Sequence, residues 1–141
     1  MKRLSKTKIL ADNVRKLILE ASFNCGAASH IGGALSITDI VASIYDNFHF
    51  NILKPKNRFI LSKGHGFLAL LSILHLKGFI KKKKKVLSFQ KNGSEFIAHP
   101  IMNRSIGIET SNGSLGQGLS FGVGLAISYK KKNKKEKIFV L

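Results

Sequence analysis

The sequence predicts an α/β fold built around a parallel sheet, forming one small domain or part of a larger one. Three observations carry this prediction. Two short apolar runs, Arg58–Ser62 and Lys137–Leu141, have the composition of buried parallel strands, and segments of helical period lie before and between them. Hydrophobic residues make up 44% of the 141, enough for a real core and too many for a disordered chain. A glycine-rich run, Gly113-Ser-Leu-Gly-Gln-Gly118, follows a polar turn at Thr110–Asn112 and opens an apolar helical stretch at Leu119. Strands that alternate with helices in this way bind ligands beyond the carboxyl ends of the strands.

Each element has its own signal. Ile9–Asn24 places Leu10, Val14, Leu17, Ile18 and Ala21 at helical spacing. The small-residue stretch Cys25–Gly33 reads as a loop. Ser36-Ile-Thr-Asp39 has the form of a capping box and starts a helix to about Asn47, with Ile37, Ile40, Val41, Ile44 and Tyr45 inward. Pro55 and Asn57 mark a connection to the first strand. Lys63-Gly-His-Gly66 is a tight turn, and Phe67–Lys77 is a buried helix closed by Gly78. Lys81–Lys91 is a short exposed helix, and Gly93–Asn112 is mostly irregular. Leu119–Lys132 is the fourth main helix. The second strand stops at Leu141 without a following loop and helix, so the sequence reads as a chain cut inside a domain. No internal repeat or linker divides residues 1–141.

Composition bounds the function. No apolar run reaches the ~20 residues needed to span a bilayer, and no signal-peptide core follows the basic N-terminus. The single cysteine, Cys25, cannot close an internal disulfide, and it suits a reducing cytoplasm as a small core residue. The net charge of +17 comes mostly from lysine, concentrated in Lys81–Lys85 and Lys130–Lys137. It admits nucleic-acid or anionic-membrane binding. Arginine is scarce and no aromatics interleave with the lysine runs, so a solvated lysine face is the preferred reading, with no specific nucleic acid and no membrane as partner. A general attraction for anionic substrates is also expected.

The candidate chemistry lies in loops. Glycines let a backbone approach a ligand closely, and a helix start offers free N–H groups with a partial positive charge, a combination that suits a phosphate or diphosphate. Three histidine segments precede that run. His30 lies in a glycine-rich loop, His65 sits between two glycines just past a strand, and His99 precedes Pro100, which biases it to an extended backbone. Each suits an imidazole facing a ligand near neutral pH. His49 and His75 read as surface or structural residues. Glu109 reads as a loop carboxylate, with a hydrogen bond to a histidine or cofactor as the functional alternative. No metal-ligand cluster, zinc pattern, nucleophile elbow or carboxylate pair appears.

The segments Ser29-His-Ile-Gly-Gly-Ala-Leu-Ser36, Arg58-Phe-Ile-Leu-Ser-Lys-Gly-His-Gly66, Ala98-His-Pro100 and Gly107–Ser120 together resemble the N-terminal, diphosphate-binding part of transketolase. The likeness is to the split form, made of separate N- and C-terminal subunits, and it runs from about residue 8 to the end. 1-Deoxy-xylulose-phosphate synthase is a relative with similar segments. The resemblance implies a doubly wound, mostly parallel sheet flanked by helices, the thiamine-diphosphate-binding fold, incomplete at the C-terminus. It implies thiamine diphosphate and Mg2+ as cofactors, and transfer of a two-carbon ketol unit between sugar phosphates in pentose phosphate metabolism.

Carried over by motif, His30 and His99 would be catalytic, contacting the substrate oxygen and the donor hydroxyl. His65, Gly113, Ser114 and Leu115 would bind the cofactor, with Gly116–Gly118 shaping the helix start. The partners implied are a C-terminal transketolase subunit or domain, in a dimer or heterotetramer. The chain departs from the family at Ala98, Asn112 and Ala28-Ser29. The Gly-Asp-Gly metal motif and its downstream Asn are expected beyond Leu141. The chain alone is therefore expected to be inactive and to bind thiamine diphosphate weakly. The competing readings are a truncated, non-catalytic remnant and a basic nucleic-acid-binding module.

Overall fold

The longest apolar run becomes the centre of the molecule. In the computed structural model, which describes residues 2–52 and 57–141, α4 (Phe67–Leu76) is buried from Phe67 through Leu74. A helix that is apolar on all sides must be enclosed, and its one polar interior residue, Ser72, donates its hydroxyl to the Leu68 carbonyl at 2.7 Å. Gly78, at φ 82°, ends the helix in the left-handed region, as its glycine predicts. Around α4 pack α1 (Lys2–Cys25), which buries Ala11, Val14, Leu17, Ile18 and Ala21, and α3 (Thr38–Asn47).

The two predicted strands pair. β1 (Arg58–Ile60) and β2 (Ile138–Val140) run parallel, with Phe59 opposite Phe139 and Ile60 opposite Val140. Alternation along the strands separates two faces. Phe59 meets Tyr45 of α3, and Phe139 meets Phe48 and Phe50, on one side. Ile60 and Val140 face α6 (Gln117–Lys131) on the other. That contact is made by glycines: a Cβ on Gly122 would lie 2.4 Å from Val140 Cγ2, and one on Gly118 would lie 2.6 Å from Ser62 Cα. The helix therefore lies close on the sheet through its glycine side. Leu119, Phe121, Val123 and Ile127 remain exposed on α6.

Several local expectations change. Residues 31–35 are not loop but a short helix, α2 (Ile31–Leu35). Ser36 stays helical and gives its hydroxyl to the Gly33 carbonyl, so the expected capping box does not form and α3 starts without a side-chain cap. Ile40, expected inside, is 47% exposed, and Thr38 and Ala42 are buried in its place. The lysine-rich helix is shorter than expected, α5 (Lys83–Leu87), and it anchors through Val86. Pro55 lies outside the described residues.

Candidate functional site

Four loop segments meet at the carboxyl ends of the strands. β1 leads through Ser62 into a 3-10 turn, Gly64–Gly66, which carries His65. The chain before α2 carries His30, and the irregular segment carries His99. The imidazoles meet: His30 lies 6.0 Å from His65 and 5.5 Å from His99 between ring centroids, each pair edge to face. Pairs separated by 35 and 69 positions in sequence thus form one cluster.

Missing side chains make this possible. A Cβ on Gly33 would stand 2.5 Å from His65 Cδ2 and 3.1 Å from the His65 carbonyl oxygen. A Cβ on Gly64 would stand 2.6 Å from the Asn112 carbonyl oxygen and 3.1 Å from His99 Cδ2. The glycine run is fastened at both ends to the segment after β1, through Asn112 on Gly64 and Gly118 on Ser62. Between those anchors Gly113, Ser114, Leu115 and Gly116 are exposed, and Leu115 is 71% accessible. Gly116, at φ 87°, is the N-cap of α6, and no side chain caps that end. An uncapped start of a 15-residue helix presents N–H groups and a partial positive charge to whatever lies there.

The electrostatics follow from position. Lys63 donates to Ser36 Oγ at 2.7 Å beside the cluster. His65 is held below the usual histidine range, by burial first, then by Lys63, His30 and His99. That favours a neutral imidazole, able both to donate and to accept a hydrogen bond. His30 adopts the left-handed backbone region at φ 49°, uncommon outside glycine, and such backbone strain gathers at functional sites.

A polar network behind the site has no sequence signature. Arg58 Nη1 donates to both Glu109 oxygens at 2.7 and 2.8 Å, and Arg58 Nε donates to the Tyr129 hydroxyl at 2.9 Å. Burial pulls the Arg58 pKa down, but the hydrogen bonds to Tyr129 and Glu109 and the carboxylate charge outweigh it and raise it. Glu109 is therefore committed to Arg58 and not to a histidine. Glu109 also borders a groove of about 700 Å3 lined by Thr110, Gln117, Ser120 and Phe121 among others. Cys25 is half-buried, its Sγ 3.1 Å from the Ser22 carbonyl oxygen. His75 Nδ1 donates to the Ile80 carbonyl at 2.7 Å, a structural role, and His49 is exposed at the end of α3. Among the described residues no group of three or more His, Cys, Asp or Glu could hold a metal ion, and no helix is long and apolar enough to cross a membrane.

Comparisons with known proteins identify the family and the fold. A family profile described as "Transketolase, thiamine diphosphate binding domain" matches residues 6–137. The 6-deoxy-6-sulfo-D-fructose transketolase subunit of a Clostridium species is 35% identical over 138 residues, which is 93% of this chain and 49% of that subunit. Transketolase 1 of Escherichia coli is 33% identical over 132 residues, covering 90% of this chain and 20% of that enzyme. Among solved structures, transketolase from Leishmania mexicana superposes with a TM-score of 0.82 over 95% of this chain and 22% of its own, at 24% identity, a likeness of fold. Transketolase from Pichia stipitis in complex with sedoheptulose-7-phosphate gives a TM-score of 0.80 at 25% identity, covering 96% of this chain and 22% of its own. The chain spans about half the length or less of these relatives.

Proposed function

The chain belongs to the transketolase family, within its thiamine diphosphate binding domain, and from that premise we propose that residues 1–141 are the N-terminal part of the cofactor-binding half of an enzyme that transfers a two-carbon ketol unit between sugar phosphates. The observation that carries this reading is the meeting of His30, His65 and His99 beside an uncapped, glycine-lined helix start.

The residues fit thiamine diphosphate. Gly113 has nothing within 4 Å of a Cβ position, so ligand atoms can approach its backbone. The α6 start suits the charge of a diphosphate. When bound, thiamine diphosphate supplies the carbanion chemistry by which a two-carbon unit leaves one sugar and joins another. We assign Gly113, Ser114 and Leu115 to lining the cofactor and His65 to contact near its diphosphate. His30 and His99 would face the substrate, His30 moving a proton at the substrate oxygen and His99 holding the donor hydroxyl. An imidazole near neutral pH can hold or release a proton at such an oxygen. Two rings within 6.0 Å of His30, those of His65 and His99, would confine a substrate hydroxyl to a small volume.

Magnesium enters only with ligands from elsewhere in the enzyme, and no step here depends on it. The partner is a C-terminal transketolase subunit or domain, in a dimer or heterotetramer. The exposed Leu119, Phe121, Val123 and Ile127 on α6 support assembly, since that much apolar surface on one helix calls for a cover. A cytoplasmic place in pentose phosphate metabolism suits sugar-phosphate chemistry and a single free thiol.

The test is a titration of the isotopically labelled 141-residue chain with magnesium and thiamine diphosphate, read by NMR. The expected result is weak binding that moves the Gly113–Leu115 amides and the imidazoles of His30, His65 and His99 together. Shifts confined to Lys130–Lys137, or none at millimolar ligand, would overturn the reading.

A further inference from the structure

Among the described residues, one buried side-chain polar atom has no hydrogen-bond partner, and it is Asn112 Oδ1. Asn112 is only 3% exposed. Its other groups are engaged: Nδ2 donates to Thr110 Oγ1, the backbone N–H donates to the Pro100 carbonyl at 3.2 Å, and the backbone carbonyl packs on Gly64. A residue held this firmly with one acceptor left unpaired is unusual, because native structures pair nearly all buried polar atoms. The residue stands directly before Gly113, at the fastened end of the glycine run, and its carbonyl shares the Gly64 contact with His99.

We propose that Asn112 is a cofactor-binding residue whose Oδ1 accepts a hydrogen bond from the exocyclic amine of the cofactor's aminopyrimidine. The inference rests on the thiamine diphosphate reading and adds a residue and a contact to it. The chemistry selects the donor. A diphosphate at neutral pH offers acceptors, and the thiazolium ring carries no N–H, so neither can satisfy a carboxamide oxygen. The amine is the cofactor's N–H donor. Asn112 leads directly into the exposed segment Gly113–Gly116, which has open space at both of those glycines.

The experiment is a double-mutant cycle between protein and ligand. Wild-type chain, Asn112→Leu and Asn112→Thr are each titrated, by NMR shifts of the Gly113–Gly118 amides, with thiamine diphosphate and with its deaminated pyrimidine analogue. Wild type is expected to prefer thiamine diphosphate by about three- to tenfold, the worth of one hydrogen bond. In both variants the preference should vanish, with analogue affinity unchanged. Asn112→Leu should melt no lower than wild type, because it removes an unpaired buried acceptor. Equal wild-type affinity for the two ligands would overturn the inference and leave the cofactor reading intact, as expected if a buried water satisfies Oδ1. A preference that survives in the variants would also overturn it. Failure of both variants to fold would make Asn112 a structural residue and sink the proposal. Absence of wild-type binding to either ligand would remove the cofactor reading itself, and this inference with it.

Discussion

Three glycines of one run should respond differently to alanine, and the structure sets the order. At Gly118 a Cβ would lie 2.6 Å from Ser62 Cα and 2.7 Å from Ser62 Cβ. Backbone must then move by about 0.8 Å to restore an ordinary contact, and overpacking of this kind costs about 1–3 kcal/mol. The gain of alanine over glycine in a helix, about 1 kcal/mol in an interior and less in a first turn, offsets part of that. The net is a loss of about 1–2 kcal/mol. At Gly116 there is room, but φ is 87°, and the left-handed backbone costs alanine about 1–2 kcal/mol. At Gly113 there is room and no positive φ, so Gly113→Ala should lie within about 0.5 kcal/mol of wild type. For 141 residues, unfolding entropy makes 1 kcal/mol worth about 3 °C. Melting followed by circular dichroism should then show Gly118→Ala and Gly116→Ala about 3–6 °C below wild type, with Gly113→Ala beside it. If Gly118→Ala melts with Gly113→Ala, α6 does not sit on Ser62 as described and the geometry of the site is wrong. Gly113→Ala should separate stability from function, keeping the melting point while weakening thiamine diphosphate.

Three further outcomes follow from charge. Glu109→Gln removes the bidentate partner of a largely buried Arg58 and should lower the unfolding free energy in urea by about 1–3 kcal/mol; an unchanged midpoint would make the pair a surface ornament. His65 should titrate below about 6.5 by NMR. The unfolded chain then takes up that proton first, so this stability is full above pH 6.5 and falls as pH drops through the folded value. His65→Asn should flatten that acid limb, and a midpoint at or above 6.5 would contradict the burial and the neighbouring cations. Replacing Lys130, Lys131 and Lys132 with Gln should leave thiamine diphosphate affinity unchanged at physiological salt, whereas Lys63→Met should weaken it; the reverse order would refute the placement of the lysine run.

The fold was legible where one signal dominated. A continuous apolar run could only become an enclosed helix, and two short apolar runs far apart could only become inner strands. The histidines were legible as candidates because each sat beside glycine or proline at an element boundary, and the structure brings all three together. Other features depend on contacts that have no period in sequence. The Arg58–Glu109 pair spans 51 positions and Arg58–Tyr129 spans 71. Gly32 and Gly33 read as loop because glycine disfavours helix, yet Gly33 is helical where the His65 ring needs its missing side chain. Ser36 lost its capping role because the helix before it runs on through it. The facing of α6 has no signal in its sequence: the sheet takes the glycines and leaves the leucine and phenylalanine outside.

The direction of α6 separates the charge from the chemistry. α6 begins at the glycine run, beside Ser62, and ends with Tyr129 bonded to Arg58, at the opposite end of β1. Lys130–Lys137 continues from that far end, and the Lys137 carbonyl accepts from Arg58 N at the start of the strands. A 15-residue helix is about 22 Å long, more than twice the screening length of about 8 Å at physiological salt. Exposed lysines at that distance add little to the potential over the histidines. The second lysine run is partly neutralised besides, since Lys83 pairs with Glu20 and Lys85 with Glu95. What favours an anion among the histidines is local: the uncapped start of α6 and Lys63, which Ser36 holds in place. The Lys130–Lys137 charge belongs to the far end of α6, and in the proposed reading the recognition of a diphosphate rests on a few backbone N–H groups and one amine.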